Sequence, residues 1–472
     1  MIGLARLAPL ALLAACALGP DYHAPPAPAG AEAPLVSLNP AAETNAGPPD
    51  DWWRLYDDPL LDRLVAEAFA ANADLAAAEA NLSGARALLE AARAGRYPAT
   101  TAAAGAIYGR NATTDQILEL TGRPPKTIWS FNALFDVSYE VDLFGRVRRS
   151  IEAARADAQG AAAARDGLRV TVAAETARAY AQVCALGEQL SVAHNALDIV
   201  ARQSQITSQR HQAGANAEFD VVRAQGLVAQ VRAAIPPLEG QRRAALFQLA
   251  AMLGRTPSRA PTEAEGCAAP PRLKALIPIG DGAALLERRP DVRQADRRLA
   301  AATARIGVAA ADLYPRISLT GRYGGVGSHL DDLTAARGLT WGVGPAISWT
   351  FPDQAGPRAR IRQARAGADA ALAGFDSVVL QALKETEQAL AAYSADLDRR
   401  QDLAEAQDRA HRAFDLAQGQ LRAGSLSQLE LLTTEQTLVA ADSAVAASDA
   451  ALVQDQIAVF KALGGGWRSV GR

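Results

Sequence analysis

Few side chains in this 472-residue chain are placed to make or break bonds. Its five histidines are His23, His194, His211, His329 and His411. None lies at the short spacings that let imidazoles share a metal ion, so neither a metal, a cofactor nor an enzyme activity is expected. "GGVGSH" (324–329) has the look of a phosphate-cradling loop. It follows an alternating segment instead of opening a helix, and reads as a flexible turn. "LGGGW" (463–467) reads as a helix stop with an aromatic anchor behind it. The two methionines, Met1 and Met252, are too few for a thioether pathway for copper or silver ions. What remains is the chemistry of cysteines and carboxylates.

Cys16 closes "MIGLARLAPLALLAAC", which has one arginine (Arg6) and a short apolar core. It is a secretory signal, too short to span a membrane as a helix. Leu13-Ala14-Ala15-Cys16 resembles a bacterial lipobox, implying cleavage before Cys16 and lipid on its thiol and amine. Ala17 follows, where an Asp would favour retention in the inner membrane. Acyl chains there would hold the protein on a membrane without spanning it. Residues 1–15 are therefore expected to be the signal peptide and 16–50, rich in Pro and Ala, an extended strap. Cys184 and Cys267 are the other two cysteines. In an oxidising compartment two leftover cysteines favour a disulfide, which would clamp the segment around 267 to the helix around 184. Buried free thiols are the alternative.

The carboxylates pose a different question. In "FNALFDVSYEVDLFGR" (131–146) the positions Phe131, Ala133, Phe135, Val137, Tyr139 and Val141 are apolar. Between them stand Asn132, Asp136, Ser138, Glu140 and Asp142, with Leu134 the exception. Such alternation is a strand with one apolar and one wet face. It sits in a chain that is otherwise Ala-rich and helical. The chain is 49% hydrophobic and 21% charged, with a net charge of −3 and no basic tract, so no nucleic-acid partner is expected. Beyond the signal there is no run of about 20 apolar residues that could cross a bilayer as a helix.

The chain repeats itself. "NLSGARALLEAARAGRYPATTAAAG" (81–105) resembles "RLAAATARIGVAAADLYPRISLTG" (298–321). "HQAGANAEFDVVRAQ" (211–225) resembles "LRAGSLSQLELLTTEQ" (421–436), matching Gly214 to Gly424 and Asp220 to Glu430. Each half reads as helix, strand, strand, long helix, turn, helix. The first is expected over 51–254 and the second over 283–472, with a Pro-rich linker at 255–282. Strands are expected near 98–110, 128–142, 315–324 and 339–351. Four strands cannot close a barrel alone, so either they sit in a soluble sandwich or several chains share one barrel. Trp and Tyr at the strand ends, the lipid anchor and the length of the flanking helices favour the barrel. Those helices, from about Arg146 to Gln212 and Pro357 to Arg422, would each reach on the order of 100 Å. Each turns at a glycine and returns as a second helix, 217–253 or 427–463. Apolar residues at three- and four-residue steps, such as Leu168, Val172, Ala179, Val183, Leu186 and Leu190, form a stripe that must be buried against neighbours, as in a coiled coil.

In "WWRLYDDPLLDRLVAEAFAANADLAAA", "YEVDLFGRVRRSIEAARADA", "LLERRPDVRQADRRLAAATARIGVAAADLYPRISLTG", "GVGPAISWTFPDQAGPRARIRQARA" and "LRAGSLSQLELLTTEQTL…VFKALGGGW" the sequence resembles the TolC-like outer-membrane factors, in particular the lipoprotein (NodT-type) branch serving tripartite efflux pumps. The resemblance implies a mainly α fold with a β-barrel part. A homotrimer would give four strands per chain to a twelve-stranded barrel in outer-membrane lipid, with a hollow helical barrel in the periplasm. It further implies a periplasmic adaptor and an inner-membrane RND-type transporter as partners. The duct would pass drugs or other small molecules; export of proteins by a type I system, or of heavy metals, is the alternative, and a non-conducting spacer lipoprotein a third reading. On this resemblance Asp136, Glu140 and Asp142 would face the channel. Gly214 and Gly424 would form the periplasmic tip, with Asp220 and Glu430 as gate carboxylates. Thr433 and Arg223 stand where the family often has acids. Without the resemblance, Asp220 and Glu430 read equally as carboxylates favoured at helix starts.

Overall fold

The computed structural model describes residues 17–465, apart from 32, 38, 40–42, 45–46, 111–114, 117–118, 123, 275 and 281. The signal segment, Cys16 and Trp467 lie outside the described residues. In the first repeat, helices α1 (Pro59–Ala71) and α2 (Ala73–Ala94) precede strands β1 (Ala99–Gly109) and β2 (Ile128–Val141). Helices α3 (Arg146–Gln212), α4 (Glu218–Ala233) and α5 (Ile235–Met252) follow. The second repeat contains α6 (Gly282–Arg288), α7 (Pro290–Ala311), β3 (Arg316–Gly327), β4 (Leu339–Ser348), α8 (Ala355–Arg422) and α9 (Gln428–Ala462).

Local chemistry explains the boundaries. Asp58 caps α1, accepting from the backbone N–H groups of Leu60 and Leu61 at 2.9 and 3.2 Å, and Pro59 takes the first helical position. Asn72 separates α1 from α2 and accepts from Leu75 N at 3.0 Å. α3 and α8 each end at a glycine with positive φ, Gly214 (77°) and Gly424 (75°). The N–H groups of Ala215 and Ser425 then reach back to the carbonyls of Arg210 and Gln420, closing the last turn.

Three expectations need correction. The return helix expected over 217–253 is two helices, α4 and α5, divided at Ala234. Pro236 and Pro237 supply no N–H to a helix coming from α4, and their rings crowd the carbonyls of the preceding turn. The fourth strand stops at Ser348, not 351. There Trp349 turns away and donates its indole N–H to Leu313 O at 3.1 Å. "GGVG" (324–327) belongs to strand β3, and the turn begins only after it. Side chains at 325 and 327 would collide with Leu333 and Asp332, which fold back against them, so glycine here serves close approach and not flexibility.

The chain forms two compact units, and each takes pieces from both repeats. One comprises the described residues up to Pro25, with Leu82–Gly160 and Ala295–Phe375. It holds a four-stranded antiparallel sheet, ordered β1-β2-β3-β4. Leu89 on α2 packs there against Val147, Ile151 and Ala158 on α3. The other comprises the described residues of Pro26–Asn81, Ala161–Gln294 and those from Asp376 onward. Its core joins Leu61, Leu64 and Val65 of α1 to Val172, Val183 and Leu186 of α3. Leu249 of α5, Leu390 of α8 and Ile457 and Phe460 of α9 complete it. Trp52 is fully buried and stacks on Phe460 with ring centroids 4.8 Å apart. The linker is part of this unit, not a free tether. Ala264 and Ile277 are buried in its core, and Ile277–Pro278 pair in parallel with Glu43–Thr44.

Candidate functional site

The sheet is a two-faced surface. Its register places Phe135 opposite Tyr323 and Trp341 opposite Tyr323. Because side chains alternate, Phe131, Phe135, Val137, Tyr139, Ile317, Leu319, Trp341, Val343 and Ile347 share one face. That face is bare. Trp341 is 72% exposed, Val343 71% and Ile347 69%. A soluble protein would cover these rings, since large contiguous apolar patches mark lipid or partner surfaces. Aromatic residues gather at both strand ends. Tyr108 meets Trp129 at one end (5.2 Å), while Phe144 stacks on Tyr314 (4.7 Å) and Trp349 on Phe351 (4.7 Å) at the helix-joined end. Among the described residues strands β1 and β4 each pair on one side only, so both edges offer unused backbone donors and acceptors.

The opposite face carries Asp136, Ser138, Ser318, Thr320, Arg322 and Thr340. Arg322 Nε donates to Asp136 Oδ1 at 2.7 Å across β2 and β3. Glu140 lies on this face too and accepts from Arg146 Nε at 2.8 Å. Asp142 does not share the arrangement expected for it. It stands beyond the end of β2, and its carboxylate accepts from Val147 N (2.9 Å) and Arg148 N (2.8 Å), capping α3.

At the far ends of the long helices, the turns at Gly214 and Gly424 place Asp220 and Glu430 in the first turns of α4 and α9. These two helices meet where Leu432 packs with Ala224, Leu227 and Val231. Glu430 is exposed and forms a capping box. Its carboxylate accepts from Ser427 N at 2.9 Å and Ser427 Oγ at 2.8 Å, while Ser427 Oγ accepts from Glu430 N. These bonds hold its carboxyl below the usual range. Asp220 is half-buried and makes no side-chain hydrogen bond or ion pair among the described residues. Within one chain the two carboxylates are not bonded to each other. Arg223 lies over the Phe219 ring, 5.5 Å from its centroid, and the Thr433 hydroxyl bonds back to Leu429 O at 3.0 Å.

One residue of this region was missed. Glu435, on α9, is fully buried, and neither carboxylate oxygen has a hydrogen-bond partner among the described residues. Burial alone pushes its pKa up to about 7. One face of α9 also carries buried Gln428, whose amide donates to Thr207 Oγ1 on α3 at 2.9 Å. The seven-residue step from Gln428 to Glu435, through Leu431 and Leu432, was the available signal. It places a carboxylate on the core stripe of α9.

Cys184 is fully buried on α3 and is joined to Cys267 of the linker, with Cα atoms 4.8 Å apart. Gly187, one turn further along α3, lies where the Cys267 backbone passes, leaving no room for a side chain.

Known proteins resemble the chain along nearly all of its length. The outer membrane efflux protein family model matches residues 64–255 and 283–465, one match per repeat. Nodulation protein T of Rhizobium leguminosarum bv. viciae is 29% identical over 470 residues, covering 97% of this chain and 92% of its own. The pyoverdine export outer membrane protein OpmQ of Pseudomonas aeruginosa is 30% identical over 481 residues, covering 98% and 97%. The solved outer-membrane channel OprN superposes with a TM-score of 0.86 at 34% identity, over 96% of this chain and all (100%) of that one.

Proposed function

The chain belongs to the outer membrane efflux protein family and is an outer-membrane efflux channel; from that premise we propose that three copies form a passive exit duct for small molecules. A periplasmic adaptor and an inner-membrane RND-type transporter would supply the cargo and the energy. The observation that carries this reading is the sheet, with a bare apolar face, an ion-paired polar face and two open edges. Its strands are 10 to 14 residues long. A tilted strand needs roughly 9–11 residues to cross a bilayer core. In lipid no edge can stay unpaired, so β1 of one copy must meet β4 of the next until the sheet closes. Three copies bring twelve strands, a size that leaves a water-filled interior lined by Asp136, Arg322 and the hydroxyl residues. Asp220 and Glu430 would form the gate ring at the Gly214 and Gly424 tip, and acyl chains on Cys16 would add a second hold on the membrane.

Reconstitution in a planar bilayer tests this. Detergent-extracted protein should migrate at three times the chain mass and give discrete conductance steps. A non-conducting single chain would overturn the proposal. Deletion of the gene should raise accumulation of small toxic compounds while leaving protein secretion unchanged; the reverse would show a different cargo.

A further inference from the structure

We propose that the sheet-bearing unit contains a built groove for the protein's own N-terminal strap, and that Arg149 is the residue that reads it. The groove fixes residue 17 beside the end of β2, so the acyl chains on Cys16 leave the protein at one place. The acyl half of this proposal rests on the reading of Cys16 as lipidated; the groove does not.

The groove is made of close backbone approaches and one buried cation. Leu18 N donates to Phe144 O at 3.3 Å. Gly145 has a φ of 78°, and a side chain on it would stand 2.8 Å from Ala17 Cα. A side chain on Gly307 of α7 would stand 2.6 Å from Leu18 O, and one on Gly19 would stand 2.6 Å from Gly307 Cα. Three glycines thus let strap, β2–α3 connection and α7 meet backbone to backbone. Arg149, 3% exposed, spends its guanidinium on the strap. Its Nε donates to Leu18 O at 3.2 Å, and its Nη2 to Gly19 O at 3.3 Å and Asp21 Oδ1 at 2.7 Å. Nη1 is held by Glu152 Oε2 at 2.8 Å. Tyr22 finishes the seat. Its hydroxyl bonds to Asp296, Arg297 lies 5.6 Å from its ring centroid, and the ring packs against Ala156, Ala300 and Ala301.

Chain ends are ordinarily loose unless tied down, and a fully desolvated guanidinium needs all its donors matched. A buried arginine whose strap-facing donors all go to residues 18, 19 and 21 therefore marks a seat for that segment. Cys16 precedes Ala17 by one peptide unit, about 3.8 Å between Cα atoms. The groove lies beside Phe144, which stacks on Tyr314 at the helix-joined end of the sheet. Residues there suit the membrane–water boundary, so the anchor and the aromatic belt share one level. The strap is next held where Leu35 is buried and the Val36 and Ser37 amides donate to Glu387, so without the groove some 18 residues, at about 3.4 Å each, would let the lipid wander on the order of 60 Å.

Hydrogen exchange on the full-length purified protein in lipid nanodiscs tests the groove, read on peptides covering 17–25 and, as a control, on β2 and β3. The mass of the N-terminal peptide reports acylation separately. In the unaltered protein the Leu18 amide should exchange slowly. Arg149→Ala should speed it at least about tenfold, leaving β2 and β3 unchanged. Gly19→Val lies on the strap itself, so it cannot unfold the body of the unit, and should have the same effect. Unprotected exchange at 17–25 in the unaltered protein, or unchanged exchange in both variants, would overturn the groove. An N-terminal peptide of unmodified mass would overturn the acyl half alone.

Discussion

Glu435 is the residue whose surroundings suit its charge least. It sits among the leucines of α9 with no group among the described residues bonded to either oxygen. Its folded pKa of about 7 lies above the ordinary carboxyl value of 4.5, because burial penalises the charged form. The contribution of the neutral form is therefore complete below pH 4.5 and is lost as pH rises through about 7. Glu435→Gln should raise the thermal midpoint at pH 8, with the advantage shrinking toward pH 5. Parallel melting curves for the two proteins across that range would refute the argument. The disulfide gives a second expectation at this scale. It closes a loop of 83 residues, for which the chain-entropy relation gives about 4.5 kcal/mol. Replacing both cysteines by serine should lower the denaturant midpoint accordingly; an unchanged midpoint would show that the clamp adds nothing. Cys184 and Cys267 were legible as a pair by elimination, whereas Glu435 was not legible as a site. The seven-residue step from Gln428 puts it on the inward stripe; only packing reveals that it has no partner there among the described residues.

Among the elements, the helix starts at the tip are the most readable. Ser427-Gln428-Leu429-Glu430 has the S-x-x-E spacing of a capping box, and the box is formed. The matching start of α4 has Ala217 at the cap and no side-chain bond. Ser427→Ala should therefore cost about 1 kcal/mol, seen as faster hydrogen exchange in the first turn of α9 with α4 unaffected. Equal effects on both would mean that the cap is not local. The long helices were readable because Ala, Arg, Gln and Glu dominate them and their apolar stripe persists. Their return partners were readable only in part. Pro236 and Pro237 stand in plain view, but a 3.6-residue pattern continues across them, and the pattern alone does not tell a kink from a break.

At the scale of the molecule, the two repeats do not make two bodies. Each compact unit draws on both, because α3 of the first repeat and α8 and α9 of the second bury apolar residues in one shared core. The gate proposal belongs here, since it needs copies of the chain around one axis. Asp220→Ala combined with Glu430→Ala should raise single-channel conductance or lower cation selectivity. If both stay at their unaltered values, the two residues act only as helix-start carboxylates. Arg322→Ala should increase cation selectivity by leaving Asp136 unpaired on the wet face, and an unchanged reversal potential would place that face away from the ion path.

Composition, periodicity and repetition determined the long helices, the alternation of three of the strands and the two glycine turns, because each depends on neighbours within a few residues along the chain. Tertiary structure alone decided that Arg149 donates to residues 18, 19 and 21 and that Glu435 has no bonding partner among the described residues. Those outcomes depend on which distant groups arrive at the same place. A residue type states what bonds it can make, and only the packed fold states which partners are within reach.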